Sequence, residues 1–222
     1  MREVADLLAD SKVATRADLL RLMRNEPWLR GNGVPAGRAE GFLFPDTYQF
    51  ERTSGAKEVM LRLIRRHQEV FSALMEAKEV VATPGRTLGW GSFELVTLAS
   101  IVEKETGLAS ERAAIAGVFT RRLALGMKLQ TDPTVIYGLG EHFDGDLTRA
   151  DLQGDTPYNT YIHEGLPPTP IALPGREAIH SVMHPLEGGS LYFVAKGDGS
   201  HHFSSTLAEH NRAVREYQLR RQ

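Results

Sequence analysis

The segment from Ser92 to Gly107 places the strongest constraint on the fold. Its apolar residues recur at helical spacing, with Ser92 as a predicted N-cap and Glu94 in the first turn, where the helix dipole favours an anion. Gly107 predicts the end of this helix. A helix with a wide apolar face has to be covered by other elements, so we predict that this helix, called the central helix below, is buried.

Glu105 lies in the middle of the apolar arc of this predicted helix. At 100° per residue Ile101 is its neighbour, whereas Glu103 falls on the opposite edge and is expected to face water. Apolar surroundings raise the pKa of a carboxyl group, which suits a general acid that works near neutral pH. An ion pair with Arg121 or Arg122 of the next helix would also bury Glu105, and the spacing alone favours neither interpretation.

Composition excludes several classes of protein. The chain has 222 residues, of which 41% are hydrophobic, so it can bury a substantial core. Its 26 basic residues are balanced by 28 acidic ones, which argues against nucleic acid or an anionic membrane as a partner. The absence of cysteine excludes disulfides and thiolate metal sites. No apolar run approaches the roughly 18 residues of a spanning helix, so we expect this chain to be soluble.

The first part of the chain is predicted to be a helical lobe. Residues 3–25 have the pattern of two short helices, with Thr15 as an N-cap between them. Glycine and proline interrupt the pattern at residues 31–37, and residues 55–78 form an amphipathic helix. Residues 83–85, Thr-Pro-Gly, are expected to end this lobe.

The second part is predicted to mix helices with a hairpin. A helix from Ser110 to Gly126 follows the central helix, and Thr148 with Asp151 resembles a capping box. Four prolines make residues 158–175 an irregular loop, and a loop this long inside a compact domain is usually functional. Residues 190–194 form the clearest strand, a Gly-Asp-Gly turn leads to a partner strand, and Thr206 caps a last helix. The predicted fold class is therefore α+β.

Asp132 is the natural second carboxylate for acid–base chemistry. It precedes Pro133, which biases it toward an extended backbone. The alternative is a turn residue whose side chain bonds its own backbone.

Two further groups of polar residues have competing explanations. Tyr158, Asn159, Thr160 and Tyr161 precede the proline-rich loop, where they either form a wall for a sugar or pin the loop to the core. The histidines at positions 201, 202 and 210 match no strong metal-binding spacing, so we favour packing in the hairpin over a zinc site. We predict no metal and no cofactor.

Six motifs occur in order along the chain: EGFLFPDTY at 40–48, ASIVEKET at 99–106, LQTDPTVIYG at 129–138, YNTY at 158–161, GLPP at 165–168 and LYFV at 191–194. Together they closely resemble the MltG (YceG-like) family of endolytic murein transglycosylases. The resemblance extends from about residue 3 to residue 217, and six linked motifs are far more specific than any one of them.

The resemblance implies an enzyme that cuts peptidoglycan glycan strands internally, at the β-1,4 bond between MurNAc and GlcNAc. It implies that no water is used and that MurNAc closes into a 1,6-anhydro ring. The general acid of the family then maps to Glu105, which acts first as acid and then as base, while Asp132 organises the sugar or the backbone. A hydrolytic muramidase that uses Glu105 and Asp132, and a glycan-binding scaffold without turnover, are the alternatives.

The resemblance also implies binding residues, partners and a location. We expect a single catalytic domain over residues 1–222, with a helical lobe at 1–85 and a part at 86–222 that carries Glu105. The full protein is expected at the outer face of the cytoplasmic membrane, anchored by an N-terminal segment that is not visible here, with peptidoglycan synthases as possible partners. The predicted substrate-binding residues are Gln130, Asp132, Tyr158, Asn159, Thr160, Tyr161, Glu40 and Tyr48.

Overall fold

The computed structural model describes residues 1–52, 54–76 and 88–219. Within them, helices are combined with one two-stranded antiparallel sheet near the C-terminus, which confirms the predicted α+β class. No helix among these residues is long and apolar enough to cross a bilayer. The predicted end of the first lobe, at residues 83–85, lies outside the described residues.

The described residues of the N-terminal lobe form four helices. Thr15 caps the second of them by accepting a hydrogen bond from the backbone N–H of Asp18, as its sequence predicts. The third helix was not predicted, although Asn25 caps it and Pro27 occupies its first turn, where a missing N–H costs nothing. The helices are α1 (Arg2–Asp10), α2 (Arg16–Leu22), α3 (Glu26–Gly31) and α4 (Gly55–Glu76).

The second part begins with the predicted central helix. This part also contains 3₁₀ turns at Ala109–Glu111 and Gly140–His142 and a π-helical turn at Arg215–Leu219. Its regular elements are α5 (Ser92–Glu105), α6 (Arg112–Ala124), α7 (Asp132–Leu139), α8 (Arg149–Gln153), α9 (Arg176–Met183), β1 (Tyr192–Ala195), β2 (His201–Ser204) and α10 (Leu207–Val214).

Two details of this part differ from the sequence-based expectation. The N-cap of α5 is Gly91 rather than Ser92, because the Glu94 carboxylate accepts a hydrogen bond from the Gly91 N–H at 2.8 Å. Asp132 is the first residue of α7, neither an extended residue nor a turn residue. Pro133 is compatible with that position, since the first helical turn needs no N–H donor.

Helix α5 lies between two hydrophobic clusters. Val96 packs with the cluster of the N-terminal lobe, whereas Leu98 and Ile101 belong to the cluster of the second part. Residues 95–102 are all buried, which confirms the prediction of a buried central helix. Residues on every side of the helix are buried between positions 95 and 102, so burial is not limited to the apolar arc predicted from the sequence.

The proline-rich loop is fixed against α5 and the first lobe. Residues 158–175 contain no helix or strand, as predicted. The Ser100 hydroxyl of α5 accepts a hydrogen bond from the Ile171 N–H at 2.9 Å. Gly41 packs against the same loop with φ +86°, where an added Cβ would lie 2.5 Å from Pro170. Only glycine satisfies both the backbone angle and the close approach at this position.

The C-terminal hairpin is confirmed in its strands and its turn. Tyr192 pairs with Ser204, and Ala195 pairs with His201 across the 197–199 turn. Phe193 contacts Phe119 of α6 edge-on, with ring centroids 5.6 Å apart. This contact fixes the hairpin to the second hydrophobic cluster.

Candidate active site

Glu105 is the last residue of α5 and lines a cleft of about 500 Å³. Residues 129–132 and Tyr161 form one side of this cleft, while β1, the first residue of β2, and α10 contribute the other side. The C-terminal end of a helix is a place where the dipole disfavours an anion. The fold therefore brings a carboxyl group to a cavity at a point that favours its protonated form.

The pKa of Glu105 is raised from an ordinary value of 4.5 to about 7. Burial is the largest cause, and the negative charge of Asp132 acts in the same direction. A hydrogen bond from Thr131 and the charge of His201 partly oppose the shift. Near neutral pH this carboxyl exists in both protonation states, as acid–base catalysis requires.

The hydrogen-bond partner of Glu105 is Thr131, whose hydroxyl donates to its Oε1 atom. The alternative interpretation, burial by an ion pair with Arg121 or Arg122, is wrong for this structure. Both guanidinium groups donate to backbone carbonyls, of Ser190 and Leu186 in one case and of Leu129 in the other. Among the described residues no Lys or Arg lies within 4 Å of the Glu105 carboxylate.

Arg122 holds the chain segment that carries Thr131. Its side chain is buried and donates to the Leu129 carbonyl at 2.7 Å and to the Gln130 side-chain oxygen at 2.9 Å. Gln130 has φ +52°, a left-handed conformation that is strained for a residue other than glycine. Two hydrogen bonds from one buried cation thus stabilise a strained turn immediately before Thr131.

Gln130 and Asp132, two of the predicted binding residues, do line the cleft. Gln130 is exposed, although its side-chain oxygen is already bound by Arg122. Asp132 is exposed as well, and its Oδ1 accepts a hydrogen bond of 2.6 Å from the Tyr161 hydroxyl. Burial is the largest cause of the raised pKa of Tyr161, followed by this hydrogen bond.

Asn159 and Thr160 lie beneath the cleft surface, which corrects the expectation that they contact the substrate. Asn159 is 0% exposed, and its amide nitrogen donates to the carbonyls of residues 151, 152 and 154. The Thr160 hydroxyl accepts from the Thr131 N–H at 3.1 Å, and its carbonyl accepts from the Gln130 N–H. Thr160 therefore positions the 130–132 segment from below, whereas Asn159 holds the chain at residues 151–154.

Tyr158, Glu40 and Tyr48 also lie outside the cleft, contrary to expectation. The Tyr158 hydroxyl bonds that of Thr169, which pins the proline-rich loop. Glu40 is buried and accepts a hydrogen bond from the Tyr137 hydroxyl at 3.2 Å. Tyr48 donates to the Phe44 carbonyl, and burial raises its pKa to about 12.

Glu103 has a different environment from the one expected. It is partly buried and accepts a hydrogen bond of 3.0 Å from the Gly175 N–H, at the N-terminus of α9. The two glutamates of the central helix thus have different surroundings. Glu103 fixes a helix end, whereas Glu105 faces the cleft.

Sequence reasoning missed the residues that complete the cleft from distant parts of the chain. No local pattern predicts their convergence, although Thr131 lies between two residues that were selected. Within the described ranges no three His, Asp or Glu side chains are grouped to hold a metal ion. The missed lining residues that bear polar groups are Arg122, Thr131, Tyr192, His201, His210, Asn211 and Gln218.

Comparison with known proteins shows the family to which this chain belongs. The model of the YceG-like family matches residues 1–216. The chain belongs to the YceG-like family. A crystal structure of a YceG-like protein from Listeria monocytogenes superposes with a TM-score of 0.81 at 31% identity, over 96% of this chain and 72% of that one.

Two curated relatives of this YceG-like chain are named endolytic murein transglycosylases. The protein of Bacillus subtilis strain 168 is 38% identical over 182 residues, which are 80% of this chain and 48% of the relative. The protein of Streptococcus pneumoniae strain R6 is 31% identical over 188 residues, which are 81% of this chain and 32% of the relative. The chain thus spans about half the length of the first relative and about a third of the second.

Proposed function

We propose that this chain is the catalytic part of a lytic transglycosylase that cuts murein glycan strands internally. The observation that carries the proposal is Glu105, a carboxyl group at the base of a cleft with its pKa raised to about 7. A group of this kind can donate a proton at neutral pH and take one back in the same turnover. The names of the relatives support murein as the substrate.

The proposed reaction breaks the β-1,4 bond between MurNAc and GlcNAc with one protein carboxyl. Glu105 protonates the glycosidic oxygen as its bond to C1 of MurNAc breaks, which leaves Glu105 as a carboxylate. That carboxylate then removes the proton of the C6 hydroxyl as its oxygen bonds to C1. The product is a 1,6-anhydro ring, Glu105 regains its proton, and no water is consumed.

A single carboxyl is sufficient because the nucleophile belongs to the substrate. Glycosidases normally need a second carboxylate to activate water or to form a covalent intermediate. A hydroxyl held by the same sugar ring has a high effective concentration at C1, so it needs less activation. In this scheme Thr131 orients the Glu105 carboxyl, and Asp132 with Tyr161 borders the site where the sugar binds.

We extend the proposal to organisation and partners. Residues 1–222 form a single catalytic domain, in which the helical lobe (1–85) supports the part with Glu105 (86–222). One hydrophobic cluster consists of lobe residues except for Val96, and most members of the other belong to the part with Glu105, which supports this division. The substrate is peptidoglycan of the bacterial cell envelope, and synthases that extend the same strands are the proposed protein partners.

The product of digestion tests the proposed reaction. Purified sacculi are incubated with the chain, and the released fragments are analysed by mass spectrometry. We expect 1,6-anhydro-MurNAc ends, whereas hydrolysis would give reducing ends that are heavier by one water. Fragments with reducing ends alone would overturn the lytic mechanism.

The role of Glu105 is tested with a matched pair of variants on the same helix. Glu105→Gln is expected to lower the rate by about 10³-fold, within the range for loss of a general acid. Glu103→Gln is expected to retain activity, because its amide oxygen still accepts from the Gly175 N–H. Loss of activity in Glu103→Gln, with Glu105→Gln active, would reverse the assignment.

Hydrolysis by Glu105 and Asp132 is the second candidate, because both carboxyl groups line the same cleft. Asp132→Asn separates the two reactions, since its amide oxygen still accepts from Tyr161 but cannot deprotonate water. A lytic enzyme retains most of its activity in this variant, and a hydrolase loses it. A wild-type chain that binds glycan strands but releases nothing would instead support the scaffold alternative.

A further inference from the structure

His201 and Glu111 form a partly buried pair at the edge of the cleft that the proposed reaction does not use. The Glu111 carboxylate accepts two hydrogen bonds from His201, from its backbone N–H at 3.0 Å and from its Nδ1 atom at 2.7 Å. The two side chains are only 10% and 15% exposed. Phe193 contacts the imidazole edge-on at 5.4 Å, so the ring is fixed from two sides.

The partner of Nδ1 determines what the other ring nitrogen offers. A carboxylate accepts hydrogen bonds, so Nδ1 of a neutral His201 carries the proton and Nε2 has a lone pair. None of the described residues donates a hydrogen bond to Nε2. A carboxylate behind an imidazole also makes its free nitrogen a better acceptor.

This acceptor lies at the same cleft as Glu105. His201 is one of the residues that line the cleft, and so is Glu105. A glycan strand bound beside Glu105 presents hydroxyl groups, each of which needs an acceptor once water is displaced. Leaving such a hydroxyl unpaired in the closed site costs binding energy.

We propose that His201, oriented by Glu111, is a second residue that contacts the substrate, with Nε2 accepting a hydrogen bond from a hydroxyl of the sugar bound at Glu105. The inference rests on the proposed function, because it takes a sugar as the occupant of the cleft. It assigns Glu111 a positioning role, since this side chain fixes the tautomer and the orientation of the ring. The competing explanation is a purely structural contact that ties β2 to the 3₁₀ turn after α5.

The variant His201→Asn distinguishes a substrate contact from a structural one. The amide nitrogen of asparagine can replace Nδ1 as the donor to Glu111, but nothing replaces Nε2. We expect the melting temperature to change by no more than a few degrees and binding to weaken by about fivefold to tenfold, the value of one neutral hydrogen bond. The probe is a purified glycan strand without stem peptides, and binding is measured in the Glu105→Gln background to prevent turnover.

His202→Asn is the matched control. His202 is not among the residues that line the cleft, and its ring packs against Tyr217, with ring centroids 5.7 Å apart. Binding is expected to be unchanged in this variant. Equal binding by His201→Asn and by the parent protein would overturn the proposal.

Glu111→Gln provides a second measurement that does not depend on the folding of His201→Asn. It can still accept one hydrogen bond but no longer fixes the imidazole with a carboxylate, so we expect a loss of binding of about threefold. Thermal destabilisation without any loss of binding would show a structural contact only. If the variants bind glycan more weakly but the wild type releases no anhydro ends, the sugar contact stands and the lytic reaction is rejected. The failure of this inference and the failure of the proposed function are therefore distinguishable.

Discussion

Each of the two parts of the molecule buries an ionisable group, and the comparison between them separates burial from function. In the N-terminal lobe His67 is 5% exposed between the rings of Phe42 and Phe71, and burial lowers its pKa to about 4. In the second part burial raises the pKa of Glu105 to about 7. Both shifts favour the neutral form of the group, and their physical cause is the same.

The difference lies in what surrounds each group. The Nε2 atom of His67 is buried without a hydrogen-bond partner among the described residues, and His67 does not line the cleft of Glu105. Glu105 has a donor in Thr131, a charged neighbour in Asp132 and access to a cavity. A perturbed pKa indicates a functional site only when the group can also reach a substrate.

The pH dependence of activity gives the largest expected effect. In the proposed reaction Glu105 must be protonated to donate to the leaving oxygen, so kcat/KM should fall tenfold per pH unit well above pH 7. Because the group is half protonated at pH 7, kcat/KM should fall about 50-fold between pH 7 and pH 9. The measurement is the rate of release of anhydro ends from sacculi across this range, and a rate that stays constant to pH 9 would contradict the assigned pKa.

His67 should affect stability instead of activity. Its pKa is lower in the folded than in the unfolded chain, so the stability it contributes is complete above pH 6.5 and decreases as the pH falls toward 4. At pH 5 the free energy of unfolding should be lower by about 2 kcal/mol, which is about 30-fold in the folding equilibrium. His67→Leu should remove this part of the acid sensitivity, as measured by urea unfolding at pH 7.5 and pH 5, and should leave activity at pH 7 unchanged.

Arg122→Lys tests whether the site of Glu105 depends on positioning from a distance. Lysine cannot reach both the Leu129 carbonyl and the Gln130 side chain, so the strained turn should relax and displace Thr131. We expect kcat to fall about tenfold, because a small displacement of a reacting group is costly. Arg121→Lys is the control, since Arg121 bonds carbonyls at residues 186 and 190; an equal loss of kcat there would indicate general destabilisation.

The smallest expected effects are two opposite shifts of the alkaline limb of the pH profile. Asp132→Asn removes a negative charge that raises the pKa of Glu105, so the limb should move to lower pH. Thr131→Val removes a hydrogen bond that lowers this pKa, so the limb should move to higher pH. Each shift should be below about one pH unit, and shifts in the same direction would contradict the electrostatic account of the site.

Local features of the fold could be predicted because their causes lie within a few residues. Thr15, Thr148 and Thr206 cap helices through hydrogen bonds to a residue three positions later. The hairpin follows from a strand pattern on each side of a Gly-Asp-Gly turn. Helix α7 was missed because Asp132 before Pro133 was interpreted as an extended residue or a turn, whereas proline also fits the first turn of a helix.

The residues that line the cleft were predicted only in part. Gln130, Asp132 and Tyr161 lie at the cleft with Glu105, as expected. Asn159 was selected as a sugar ligand because an amide can bind a hydroxyl. The same amide can bind backbone carbonyls, and it makes three such bonds here. Residue type does not distinguish these roles, because both use the same donors and acceptors.

The sequence by itself determined the buried central helix, the helix caps, the hairpin and the selection of Glu105, since each depends on spacing within one segment or on a linear motif. Only the tertiary structure decided which groups meet Glu105. Thr131 is 26 residues away and donates to it, and Glu111 is 90 residues from the His201 that it orients. Contacts across such distances arise from the packing of whole elements, which no local pattern of residues encodes.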